Sequence, residues 1–160
     1  MSLMDDPDFV ALVAELSKPK PNGKLPRPNR FQVRALLLSL GTALLDEEQA
    51  PTTVVPEVVE RVRALIAAYE DAWRTAVHDE LALAVTEHVR SCDPSYLRLP
   101  NYDFPYTVEA RERLEARLRA ADELGLAADG LLLDQIEGAD GILAPFLASR
   151  NSDTRLPPHQ

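Results

Sequence analysis

The chain has 160 residues, 46% of them apolar, and a formal net charge of −9. This length and apolar content predict one globular domain with its own core. A surface with this excess of acid repels phosphates, so nucleic acid is an unfavourable partner over most of the molecule. No run of about 18 apolar residues is present, so we expect no transmembrane helix and no membrane partner.

The start of the chain and its cysteine content indicate a cytoplasmic protein. The segment "MSLMDDPDF" is acidic and lacks the apolar stretch of a signal peptide. Cys92 is the single cysteine, so an intrachain disulfide cannot form.

The first predicted helix covers 7–17, with Asp6 as its N-cap and Pro7 at its first position. Prolines keep the following segment, 18–29, extended and without regular structure. The second predicted helix covers 30–45. Asn29 and Gln32 begin it with a capping box, and its residues are apolar nearly all round, which is typical of a helix buried on most sides.

The third predicted helix, 56–91, is too long for a compact domain of this size. Its apolar stripe rotates near Val77–Glu80, which favours a break there with Asp79 as the new cap. The alternative is a continuous helix whose halves pack against different partners. The predicted core residues of its first half are Val62, Leu65, Tyr69 and Trp73.

A proline-rich and aromatic loop, 91–106, leads to a helix at 108–124 that Thr107 caps and Gly125 closes. One or two short helices follow residue 130, with Pro145 limiting the second. Together these elements predict an all-α, single-domain helical bundle of five to six helices over 1–150. The tail, 151–160, is predicted to be disordered.

The segment "KPKPNGKLPRPNR" carries five bases, four prolines and no acid. We interpret it first as a basic linker lying across the acidic faces of its own bundle or of a dimer partner. A binding arm for another protein is the alternative, and an adaptor that contacts nucleic acid through 18–34 is a further one. The candidate residues are Lys18, Lys20, Lys24, Arg27 and Arg30.

Aromatic side chains in the loop form a second candidate surface, because tyrosine is favoured at protein interfaces. The alternative is that they pin the loop onto the bundle. These residues are Tyr96, Tyr102, Phe104 and Tyr106.

Two acidic pairs form the pattern ExxE followed by ExxD: Glu112 with Glu115, and Glu137 with Asp140. This pattern resembles the magnesium site of MazG-like all-α nucleotide pyrophosphohydrolases. The resemblance implies carboxylates on neighbouring helices that hold Mg²⁺ against a substrate's phosphates. The chain departs from it because glycines flank the second pair and no acid stands beside the first glutamate. The alternative is a solvated helix face.

His88 and Cys92 lie four residues apart on one helix face, as two zinc ligands or a base beside a thiol would. We favour a core position for Cys92, with His88 at the border of the core. The sequence thus predicts a non-catalytic interaction or regulatory bundle that associates with itself or another protein and needs no cofactor. The magnesium-dependent enzyme and the nucleic-acid adaptor are the alternatives.

Overall fold

The computed structural model describes residues 3–47 and 54–150, and every regular element in these ranges is helical. The predicted all-α bundle is confirmed, with seven α-helices in the described part of the chain rather than five or six. The predicted tail, 151–160, lies outside these ranges. After a short 3₁₀ turn at Leu3–Asp5, the helices are α1 (Pro7–Ser17), α2 (Arg30–Glu47), α3 (Val54–Ala68), α4 (Glu70–Ser91), α5 (Pro94–Leu97), α6 (Phe104–Glu123) and α7 (Gly130–Arg150).

Side-chain caps begin the first two helices, as the sequence predicts. An oxygen of Asp6 accepts hydrogen bonds from the backbone N–H groups of Asp8, at 3.0 Å, and Phe9, at 3.4 Å. Asn29 and Gln32 form a reciprocal capping box, in which each side-chain oxygen accepts the other residue's backbone N–H at 2.9 Å. These bonds satisfy backbone donors that have no partner inside the helix.

The long segment divides at Tyr69, earlier than predicted. The N–H of Tyr69 bonds to the carbonyl of Ile66, at 3.0 Å, in a tight turn that ends α3. Glu70 and Asp71 then occupy the first turn of α4, where the positive end of the helix dipole favours acids. The predicted break near Val77–Glu80 is wrong, because α4 runs through it.

The helix predicted at 108–124 begins earlier, at Phe104. A carboxylate oxygen of Asp103 accepts the N–H of Tyr106, at 3.1 Å, so Asp103 provides the cap that the sequence analysis assigned to Thr107. Gly125 follows α6 with a φ of 77°, which agrees with its predicted role in closing the helix.

The last helix, α7, is continuous although Pro145 lies inside it. The prediction of shorter helices limited by this proline is therefore wrong. Pro145 cannot donate to the carbonyl of Gly141, four residues earlier, but both residues face solvent. The opposite face carries an unbroken buried stripe that holds the helix together: Leu132, Ile136, Ala139, Leu143 and Leu147.

The chain divides into two units. The first contains the described residues up to Glu80 together with Ala116–Ala127, and the second contains Leu81–Glu115 and the described residues from Ala128 onward. The boundary between the units falls after Glu80 in α4, which is where the apolar stripe of the sequence rotates. No helix in the described ranges has the length and apolar character needed to cross a membrane.

The core of the first unit contains three of the four residues predicted for the long segment. Val62, Leu65 and Trp73 are buried, whereas Tyr69, at the break, is half-buried. In the second unit, Cys92 packs in an apolar cluster with residues of α5, α6 and α7: Leu97, Phe104, Val108, Ala139, Leu143 and Leu147.

Candidate functional site

The lysines of the basic segment are exposed. Lys18, Lys20 and Lys24 make no ion pair with the described part of the chain. Gly23, with a φ of 80°, turns the segment, and the N–H of Lys20 donates to the carbonyl of Lys24 at 2.7 Å. The three ammonium groups thus lie on the surface of the first unit, where a partner can reach them.

The arginines that follow contact their own unit. Arg34 Nε lies 2.8 Å from Glu80 Oε1, and Arg30 Nε lies 3.6 Å from Glu80 Oε2. Glu80 is fully buried on the apolar face of α4, where an unpaired charge would be very costly. Arg27 places its guanidinium 5.5 Å from the ring centre of Tyr69. These contacts support the intramolecular interpretation for the arginines but not for the lysines.

A groove of about 790 Å³ runs beside these arginines in the first unit. Arg27 and Arg30 contribute positive charge to its lining, whereas Glu70, Asp71 and Asp79 contribute negative charge. Because both signs are present, the groove selects no ligand by charge alone.

A second groove of the first unit, about 410 Å³, lies between α1 and α2. Phe31, in the first turn of α2, forms part of its lining and is 77% exposed. The α1 side carries two acids, Asp8 and Glu15, and Ala11 and Ala35 contribute small side chains to the lining. We call this surface the α1/α2 face.

The second unit has a groove of about 520 Å³ between α4 and α7. Val89 and Ile142 line it and are each 42% exposed. Gly138 and Ala139 add small residues, and Arg90 is the one charged residue in the lining. This groove is therefore more apolar than the other two.

The aromatic candidates divide into two pairs. Tyr102 and Phe104 pack against the core of the second unit with their rings 4.9 Å apart. The Tyr102 hydroxyl also donates to the carbonyl of Ser91, at 2.6 Å. Tyr96 and Tyr106 are 55% and 61% exposed. One pair therefore holds the loop in place, and the other remains available at the surface.

A buried polar cluster lies within the second unit, centred on Arg111. Arg111 is fully buried, and its Nε lies 3.1 Å from both carboxylate oxygens of Asp140, while its Nη1 lies 3.0 Å from Glu115 Oε2. His88 Nε2 lies 2.7 Å from Asp140 Oδ1 and donates to it, since a carboxylate only accepts. Burial acts to raise the pKa of Asp140, but the hydrogen bonds from His88 and Arg111 outweigh burial and lower the pKa.

The four acids that resemble a magnesium site are not all brought together. Glu112 and Glu137 are exposed, whereas Glu115 and Asp140 share the guanidinium of Arg111. Among the described residues, no three His, Cys, Asp or Glu side chains are grouped as metal ligands. An arginine thus supplies the positive charge between the buried carboxylate of Glu115 and the partly buried carboxylate of Asp140.

Cys92 lies next to this cluster, with its Sγ 3.9 Å from His88 Nδ1. The thiol is 1% exposed, and burial, with a smaller contribution from the charge of Asp140, raises its pKa to about 12. A nucleophilic cysteine needs the thiolate and access to its substrate. Cys92 has neither in this conformation.

The sequence analysis missed Arg111, which organises the cluster. The spacing along the helix could have indicated it, because Arg111 precedes Leu114 by three residues and therefore lies on the apolar face of α6. It also precedes Glu115 by four residues, which allows the pair to form on one helix.

Comparisons of this chain with protein-family models, curated proteins and solved structures found no match.

Proposed function

We propose that the protein is a non-catalytic interaction or regulatory protein, a helical bundle that associates with itself or with another protein. The observation that carries this proposal is the exposure of large apolar side chains beside grooves in both units. Phe31 borders the α1/α2 face, while Val89 and Ile142 border the groove between α4 and α7. Full burial of an exposed side chain of this size contributes about 1.5–3 kcal/mol, so Phe31 has most of this free energy still to gain in a complex, whereas Val89 and Ile142 have less than half.

The polar cluster of the second unit supports the same proposal. His88, Arg111, Glu115 and Asp140 hold one another within hydrogen-bonding distance. The thiol of Cys92 is buried and protonated. Side chains of the types found in catalytic sites here bind one another in and beside the core, although Arg111 Nη2 is buried without a hydrogen-bond partner among the described residues.

The test is the molar mass of the full chain, measured by light scattering over a concentration series. We expect a dimer to dominate at high micromolar concentration. A monomer throughout that range would refute self-association.

A second measurement tests the magnesium-enzyme alternative. We expect Mg²⁺ or Mn²⁺ to leave the thermal midpoint unchanged, because the Arg111 guanidinium already occupies the place between Glu115 and Asp140 that a cation would need. Occupancy of a specific metal site at 100 times its Kd would stabilise the fold by about 2.7 kcal/mol and raise the midpoint by roughly 5 °C or more. Such a rise would favour the enzyme.

A further inference from the structure

The α1/α2 face combines an exposed aromatic ring with a groove. Phe31 is the most exposed of the large apolar side chains in the described residues, at 77%. It lies at the start of α2, where the capping box of Asn29 and Gln32 fixes the backbone. An exposed aromatic side chain on a fixed backbone, beside a groove, suits an anchor that enters a pocket on a partner.

The charges around this face are separated by sign along the chain. Residues 1–17 contain four acids and no base, and residues 18–24 contain three lysines and no acid. Asp8 and Glu15 are exposed on α1, and neither forms an ion pair with the described residues. An acidic patch adjoining a basic segment is complementary to a second copy of itself rotated by a two-fold axis, because each contact then forms twice.

The α1/α2 face needs the basic segment beside it to reach the area of a stable interface. The helix α1 is about 16 Å long, and two helices side by side are about 20 Å wide, so their joint footprint is roughly 300 Å². A stable interface takes about 800 Å² from each partner. The helices alone are too small, and the adjoining segment, 18–29, is the nearest surface that enlarges the contact.

We infer that a second copy of this chain docks on the α1/α2 face, with two-fold symmetry. Phe31 of each copy enters the groove between α1 and α2 of the other. The lysines of each copy, Lys18, Lys20 and Lys24, lie against the acids of the other, Asp8 and Glu15. This inference rests on the proposed function and specifies both the partner and the surface.

Sedimentation velocity of the full chain over a concentration series tests the aromatic contact. We expect Phe31→Ser to weaken the dimer by about 100-fold or more, because two anchors are lost in each dimer. Circular dichroism should show unchanged helix content, since Phe31 is exposed in the monomer. Leu131→Ser, which removes a 68% exposed apolar side chain of the second unit that lines none of the three grooves, is the matched control and should leave the dimer intact.

Charge reversal tests the symmetry. Changing Lys18, Lys20 and Lys24 together to Glu should weaken the dimer, and so should changing Asp8 and Glu15 together to Lys. All five changes in one chain restore opposite charges across a two-fold contact, so that variant should dimerise again. Failure of the combined variant to recover, with normal helix content, would overturn the charge pairing.

These measurements separate the inference from the proposal on which it rests. A wild-type dimer that Phe31→Ser and both charge reversals leave unchanged would overturn the α1/α2 face while self-association stands. Loss of the dimer in Ile142→Ser alone would place the contact on the α4/α7 groove and also overturn it. A wild-type chain that stays monomeric would refute self-association, and this inference with it.

Discussion

At Gly41 the backbone of α2 lies directly against the backbone of α6. An ideal Cβ placed on Gly41 would lie 1.7 Å from the carbonyl oxygen of Ala116 and 2.3 Å from its carbonyl carbon. These are backbone atoms, so no side chain can rotate to make space. Gly41→Ala therefore requires α2 and α6 to separate until a contact of 1.7 Å opens to about 3.4 Å, where ordinary van der Waals contact begins.

Two opposing effects determine how far Gly41→Ala changes the free energy of unfolding. Alanine is favoured over glycine inside a helix by about 1 kcal/mol. Overpacking a core costs about 1–3 kcal/mol, and the upper end applies here because two backbones must move. The expected net loss in the free energy of unfolding is about 2 kcal/mol, which lowers the thermal midpoint by about 4–8 °C for a chain of this length.

The matched control is Gly138→Ala, in the interior of α7. A Cβ at Gly138 meets no atom within 4 Å, so only the helix propensity changes. We expect this variant to gain about 0.5–1 kcal/mol. Urea denaturation followed by circular dichroism measures both variants. If Gly41→Ala is as stable as the wild type, or if both variants change stability in the same direction, the proposed packing of α2 on α6 is wrong.

Three further predictions concern buried side chains. Trp73 is 1% exposed, so Trp73→Ala should cost about 3–5 kcal/mol in urea denaturation, and a loss below about 1 kcal/mol would contradict its core position. The pKa of Asp140 is lowered in the folded protein, so its carboxylate stabilises the fold at any pH above its ordinary pKa of 3.8. This stabilisation is lost as the pH falls through the folded-state pKa. Asp140→Asn should therefore cost about 3 kcal/mol at neutral pH. In thermal denaturation the difference from the wild type should shrink as the pH falls below 3.8 and through the folded-state pKa, and a constant difference would argue against the ion pair. Because burial raises the pKa of Cys92 to about 12, a thiol reagent should label it only when the protein unfolds, and rapid labelling of the folded protein would show that the site is open.

Local chemistry determined the elements that the sequence predicted correctly. The caps at Asp6 and Asn29 and the closing glycine at Gly125 act within a few residues along the chain, so their effect can be read from neighbouring positions. The burial of Val62 and Trp73 follows from helical periodicity, because one face of an amphipathic helix must turn away from water.

The tertiary structure alone decided the features that depend on residues distant in the chain. A proline inside a helix usually breaks it. Pro145 is accommodated inside α7 because buried residues before and after it, Leu143 and Leu147, pack in the core. Arg111 is buried because Asp140, 29 positions further along, meets it. Gly41 is required by the backbone of Ala116, and Phe31 is exposed because nothing in its own unit covers it. Sequence periodicity assigns a residue to a face, but the partner that meets that face comes from elsewhere in the fold, and so the grooves and the polar cluster emerged only from the packed helices.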